Sequence, residues 1–153
     1  MEFVLRNYRS EYCAELAALF YNTVHSINAR DYSSEQLDAW ADGKPDMDSW
    51  NEKFLKHRTL VAVTDECIVG FADMAEDGYL DRLYVHCNFQ GQGIATAICD
   101  ALEGDSDSKI FTTHASITAK PFFENRGYKA IYSQIVERNG VKMTNYLMKK
   151  CCN

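Results

Sequence analysis

The 153-residue sequence predicts an α+β fold, and three stretches carry that prediction. Tyr79 to Glu103 reads as a strand, a glycine-bearing loop and a helix, in that order. Leu60–Thr64 and Ile68–Ala75 are β-rich runs separated by Asp65-Glu66-Cys67, a hairpin connection by length and polarity. Tyr128–Glu137 and Val141–Met148 form a closing hairpin around Asn139-Gly140, a type I′ turn signal. Antiparallel hairpins combined with helices give α+β rather than a purely parallel sheet.

The elements follow in order. Phe3, Leu5 and Asn7-Tyr8 suggest a first strand. A helix starts near Ser10, which can cap it, with Tyr12, Leu16, Leu19 and Phe20 on its apolar side. A second helix begins near Ser33 and runs to Trp40, where Gly43 and Pro45 interrupt the pattern before a third, short helix around Trp50–Lys56. After the hairpin of β-rich runs, the strand Tyr79–Val85 stops at polar His86–Asn88. From Ile94, apolar Ile94, Ala97, Ile98, Ala101 and Leu102 recur at the spacing of one helical face until Gly104. Lys109–His114 is a short strand, and Thr118–Asn125 a helix with Pro121 tolerated in its first turn. No repeat, low-complexity tract or Pro/Gly-rich linker divides the chain, so residues 1–153 read as one domain.

Bulk properties narrow the function. A net charge of −6 argues against nucleic-acid binding, which needs Lys and Arg on phosphates, and favours cationic acceptors unless it serves solubility alone. No apolar run approaches the roughly 20 residues of a bilayer span, and MEFVLRNYRS is strand-like rather than a signal peptide; a cytoplasmic protein without a membrane partner is expected. The six cysteines form no C-x-x-C pair and the four histidines complete no zinc spacing, so free thiols and no metal are expected.

Gln90 to Gly93 falls at a helix N-terminus, where backbone N–H groups lack intrahelical partners and the peptide dipoles leave partial positive charge. Gly91 and Gly93 let phosphate oxygens approach the backbone closely. A dinucleotide fingerprint would need glycine or alanine where Thr96 stands, and a P-loop would need lysine followed by serine or threonine where Ile94 and Ala95 stand. Gln90-Gly91-Gln92-Gly93-Ile94-Ala95 instead resembles the acyl-CoA signature of the GNAT N-acetyltransferases, Q/R-x-x-G-x-G/A. Leu83-Tyr84-Val85 matches the segment where strand four of that family splays from its neighbour at a bulge, and Ser116–Tyr128 is similar to its N-x-x-A-x-x-F-Y-x-x-x-G-F segment. DYSSEQLDAWA, at Asp31–Ala41, together with ASITAKPFF resembles a small bacterial branch called YafP-like.

The resemblance implies a three-layer fold: a mixed, mostly antiparallel sheet of about seven strands with helices on both faces. It also implies acetyl-CoA (coenzyme A) as cofactor, held by Leu83, Tyr84, Val85, by Gln90 through Thr96, and by Ser116, Phe122 and Phe123. Two positions depart from the family pattern: Ser116 replaces an Asn, and Phe123 replaces the Tyr that often protonates the departing thiolate. Ser116, Tyr84, Tyr128 or solvent must then supply that proton. Phe122 reads as core, and Phe123 as core or as an apolar wall for the pantetheine arm.

Direct acetyl transfer to a small amine needs a base, because an alkyl ammonium is protonated at neutral pH. Asp81 is the candidate: period-two alternation places it with Tyr79, Leu83 and Val85. Pairing with Arg82, Lys109 or another cation is the competing role. A backbone N–H near Leu83–Val85 is the implied oxyanion donor. His25, Tyr32, Tyr79 and Asn145 are candidate acceptor ligands, with Asp31 and Trp40 beside them, although His25 can equally be a helix cap and Trp40 core. Cys87 beside His86 keeps a covalent route open. A non-catalytic acyl-CoA sensor is the alternative function, and modification of a protein N-terminus or aminoacylated RNA a weaker one. An unpaired sheet edge offers a docking site for a homodimer or stays free in a monomer.

Overall fold

The computed structural model describes residues 2–65 and 67–152. The strands are β1 (Val4–Asn7), β2 (Arg58–Thr64), β3 (Cys67–Met74), β4 (Tyr79–Val85), β5 (Ile110–Ser116), β6 (Lys129–Arg138) and β7 (Val141–Cys151). The helices are α1 (Cys13–Ser26), α2 (Ser34–Trp40), α3 (Met47–Lys56), α4 (Ile94–Asp105) and α5 (Lys120–Asn125). All seven strands join one sheet in the order β1-β2-β3-β4-β5-β7-β6. Every pairing is antiparallel except that of β4 with β5.

Local chemistry sets the helix boundaries. Ser33 and Gln36 form a reciprocal capping box that starts α2. The third helix begins at Met47, ahead of the expected Trp50, because the Asp46 carboxylate accepts the Ser49 N–H just after Pro45. Gly104 does not end α4, which runs on to Asp105. The predicted turn at Asn139-Gly140 has positive φ at both residues, +48° and +79°.

Alternation along β2 places Leu60 and Ala62 on one face, Val61 and Val63 on the other. The first face packs α4 through Ile94, Ile98, Cys99 and Leu102. The second packs α1 and α3 through Leu16, Leu19 and Phe54. Helices therefore cover both faces, as the fold class requires.

The site depends on how β4 leaves β5. Their parallel pairing covers only Tyr79 with Thr112 and Leu80 with Thr113, after which the two strands part. On its other edge β4 pairs with β3, and there Met74 faces Leu80 while Asp73 faces Arg82, so Asp81 is an extra, bulged residue. The bulge sits ahead of the Leu83–Val85 segment where it was expected. Three hydrogen bonds tie the α2 region to the β6–β7 hairpin: Tyr32 Oη donates to Thr144 O, Gln36 Nε2 to Lys142 O, and Asn139 Nδ2 to Ala39 O. That clasp roofs the opening. No helix of the described residues is long and apolar enough to cross a membrane.

Candidate active site

A cleft of about 1300 Å³ runs from the β4–β5 opening to the roof made by α1, α2 and the hairpin. Alternating residues of β4 direct their backbone groups to opposite edges. His86 N–H donates to Val69 O, so His86, Tyr84 and Arg82 address β3, and Leu83 and Val85 turn theirs toward the edge that β5 has left. Val85 O is taken by Gln90 Nε2 at 2.7 Å and by Thr23 Oγ1 at 3.2 Å. The Leu83 and Val85 N–H groups thus face the opening that β5 has left.

The loop beyond β4 fits a pyrophosphate. Gly91 and Gly93 have φ of +71° and +82°, and a Cβ built on either would meet no atom within 4 Å. Both glycines therefore border open space with their backbone bare. Gly93 caps α4 without any side-chain hydrogen bond, which leaves the first N–H groups of the helix to a ligand. Two residues of this loop act differently from the expectation. The Gln90 amide is committed to Val85 O and closes the strand end rather than reaching outward. The Ile94 side chain is core, 1% exposed, so only its backbone faces the loop. Gln92 and Thr96 are exposed beside the glycines, and Ala95 lines the cleft.

The bulge changes the face of Asp81. Leu80, Leu83 and Val85 belong to the α4-side core, whereas Arg82 stacks over Trp50 and Tyr84 packs edge-on against Phe20 on the opposite side. Asp81 also lies on that opposite side, 3.3 Å from Lys53 Nζ and 3.5 Å from Arg82 Nη1, with Tyr79 but not with Leu83 and Val85. One extra residue inverted the alternation that the sequence reading assumed. Asp81 lines the cleft, and its buried Oδ2 accepts no hydrogen bond. The expected competing role is real, with Lys53 joining Arg82 as partner.

Behind Asp81 lies a group that the sequence reading missed. Asp73, fully buried on β3, accepts a 2.8 Å hydrogen bond from His57 Nδ1 and lies 3.5 Å from Arg82 Nη1, while its Oδ1 has no partner. Burial pushes its carboxyl above the usual range, against the opposing pull of His57 and Arg82. The ligating atoms of His57, Asp73 and Asp81 lie within 4.8 Å of one another. Arg82 and Lys53 already supply positive charge there, so the cluster is an ion-pair network. A lone acid within the apolar run Ile68–Met74 was the available signal.

The remaining candidates divide. Tyr79, half-buried, lines the cleft with its hydroxyl 3.1 Å from His114 Nδ1. Asn145 lines it too, but its Oδ1 accepts from Gln134 Nε2 at 2.8 Å. Tyr32 is 8% exposed, and its hydroxyl both donates to Thr144 O and accepts the Ile117 N–H, so it is a strut rather than a free ligand. His25 Nε2 bonds Ala41 O at 2.7 Å and the ring lies on Tyr21, which makes it a tie between helices outside the cleft wall. Asp31 is held by Thr118. Trp40 is half-buried and forms part of the wall.

Ser116 Oγ accepts the Ala119 N–H at 3.0 Å, and its proton remains available to the cleft. Tyr84 also faces the cleft, its phenol pushed up by burial and therefore protonated. Tyr128 donates to Glu103 Oε2 away from the cleft, which removes it as an acid. Phe123, 2% exposed and packed on Tyr128, is core and also lines the cleft, in keeping with both readings of it, whereas Phe122, expected as core, is half-buried and packs against the core's edge. Cys87 Sγ lies 4.0 Å from His86 Nδ1, which also accepts the Asn88 N–H, but both residues stand outside the cleft lining, away from where an acyl group would react.

Comparison with known proteins agrees with this architecture. The family described as an acetyltransferase (GNAT) domain matches residues 28–150. An uncharacterised N-acetyltransferase, YafP, from Escherichia coli (strain K12) is 37% identical over 145 residues, 95% of this chain and 93% of that protein. A crystal structure of a GCN5-related N-acetyltransferase from Rhodopseudomonas palustris superposes with a TM-score of 0.93 at 35% identity, covering 99% of this chain and 96% of that one. The PaiA N-acetyltransferase of Thermoplasma acidophilum, solved in complex with coenzyme A, has the same fold with a TM-score of 0.79 at 17% identity and 99% coverage of both chains.

Proposed function

This chain belongs to the GNAT acetyltransferase family, and from that premise we propose that it transfers an acetyl group directly from acetyl-CoA to a small amine. The observation that carries the reading is the β4–β5 parting, where Leu83 and Val85 line the cleft, together with the open Gly91–Gly93 loop and bare start of α4 that cleft residues Gln90 and Ala95 flank. Acetyl-CoA, when bound, supplies an activated thioester carbonyl and a thiolate leaving group. The coenzyme A complex of PaiA, which shares the fold, supports the cofactor assignment.

The chain's own residues have separable tasks. Gly91, Gly93 and the first N–H groups of α4 hold the pyrophosphate. Leu83 and Val85 N–H stabilise negative charge on the carbonyl oxygen, a type of donor worth roughly 3 to 4 kcal/mol. Asp81, fixed by Lys53 and Arg82 at the cleft wall, draws the acceptor ammonium in and takes its proton directly or through water. Ser116 or Tyr84 returns a proton to the sulfur, the task for which Phe123 has no hydrogen.

The test is thiol release from acetyl-CoA across a panel of amines, with cofactor binding measured on the same sample. Binding with turnover is expected. Binding without turnover of any amine would overturn the transfer reading in favour of an acyl-CoA sensor, and no binding would overturn the cradle assignment.

A further inference from the structure

Arg138 ends β6 at the mouth of the cleft, exposed to solvent. By alternation it shares a strand face with Val136 and Gln134, and all three line the cleft. Its guanidinium carbon lies 5.7 Å from the centroid of the Trp40 ring. Burial pushes the phenols of Tyr32, Tyr79 and Tyr84 up, and the positive charge of Arg138 opposes that push at each of them. The contact with Trp40, itself a cleft residue, places the guanidinium on the cleft side of β6.

The charge pairing along this wall is uneven. Lys53 pairs with Asp81, Arg82 with Asp73 and Asp81, and Arg30 with Asp31. Among the described residues Arg138 enters no ion pair, and its one contact of this kind is with the Trp40 ring. Glu137, next in sequence and opposite Lys142, lines the same cleft, as does Asp42, and neither lies within ion-pair distance of Arg138. A guanidinium without a direct ion-pair partner thus stands at this end of the cleft in a protein whose net charge is −6.

We propose that Arg138 receives a carboxylate of the acceptor, so that the substrate is an amino acid or similar amino-carboxylate whose amine points inward to Tyr79 and Asp81. The class rests on the acetyl-transfer reading above, since the amine is defined by it. A guanidinium presents two parallel N–H donors that match a carboxylate, and the Trp40 ring shields one side of the pair from water. One unpaired cation matches a monoanion, whereas a phosphate ester carries roughly −1.5 to −2 and would call for a second.

Two experiments on the full-length chain decide it. In the first, kcat/KM is compared for each of the common amino acids, its amide and its decarboxylated amine, with 2-aminoethyl phosphate as a phosphate arm. For the best acceptor the acid is expected to exceed its amide by roughly 10- to 100-fold, the worth of charge-assisted hydrogen bonds. Arg138→Gln should bring that ratio close to unity, and Arg138→Lys should keep part of it. In the second, N-acetyl amino acids and their amides are titrated calorimetrically into the wild type and Arg138→Gln, which needs no turnover. Carboxylate-selective binding lost in Arg138→Gln would support the site even if the transfer reading failed. The proposal is overturned if the amides or the phosphate arm win, if the ratio survives Arg138→Gln, or if no carboxylate binds.

Discussion

Gly93→Ala separates cofactor binding from folding, because the structure assigns each effect a different magnitude. Gly93 has φ of +82°, where an L-residue with a Cβ costs about 1 to 2 kcal/mol. The reduced freedom of the unfolded chain offsets roughly half of that, leaving about 1 kcal/mol, or about 2 to 4 °C in Tm for a domain of this size. No steric cost adds to it, since the new methyl meets nothing within 4 Å in the free protein. With coenzyme A present, the methyl occupies the open side from which phosphate oxygens reach the helix N-terminus. Losing two charge-assisted hydrogen bonds there costs about 3 kcal/mol or more, a weakening of roughly a hundredfold. Gly104→Ala, near the other end of α4 and equally unobstructed, is the control: it should stabilise the protein by about 0.5 to 1 kcal/mol and leave coenzyme A affinity alone. Calorimetric titration with coenzyme A and thermal melts of both variants give the two numbers. A Gly93→Ala protein that melts lower yet binds coenzyme A like the wild type would refute the cradle.

Three further outcomes are expected. Asp81→Asn should lower kcat/KM by about 10² to 10⁴ in a thiol-release assay while coenzyme A affinity stays within a few-fold; an unchanged rate would assign deprotonation to another group. Asp73, whose carboxyl is raised by burial, contributes stability that is full below the ordinary value of 3.8 and lost as pH rises through its folded value. Urea melts should accordingly favour the wild type over Asp73→Asn more at pH about 4 than at pH about 7.5, and the opposite trend would mean that His57 and Arg82 outweigh burial. Tyr32→Phe removes an acceptor from the Ile117 N–H and a donor to Thr144 O, and a loss of roughly 1 to 3 kcal/mol is expected from denaturant melts.

The legible parts of the fold were those written in neighbouring residues. Asn139-Gly140, the start of α2 at Ser33 and the Gln90–Ala95 loop each declare a backbone conformation within a few positions, and each sits where it was expected, whereas Ser10, expected to cap the first helix, lies in a short 3-10 turn ahead of it. What could not be read was anything set by contacts across the chain. Phe122 and Phe123 are adjacent on a short helix, and which of them turns into the core depends on Tyr128. Tyr32 and His25 were candidate ligands by residue type, but Thr144, Ile117 and Ala41 occupy their polar atoms from distant positions in sequence. Arg138 carried no signal, because the role proposed for it rests on what does not pair with it.

The bulge at Asp81 shows how one position decides several properties of the site. In a regular strand, Asp81 would share a face with Leu83 and Val85 and project toward α4, into an apolar core that has no cation for it. The extra residue keeps Leu80, Leu83 and Val85 together in that core and sends Asp81 and Arg82 jointly to the α3 side, where Lys53, Asp73 and Trp50 receive them. It also follows directly on the last residue paired with β5, and bulges bend and twist the strand that carries them. The same backbone irregularity thus brings the carboxylate to the α3 side of the cleft and coincides with the parting of strands beside the Leu83 and Val85 N–H groups. Substituting Asp81 tests only its carboxylate. The geometry depends on the residue count between Leu80 and Arg82, so the position of the Asp81 carboxylate and the direction of the Leu83 and Val85 N–H groups, to which acceptor and oxyanion roles are proposed, are coupled through the backbone rather than through any side-chain contact.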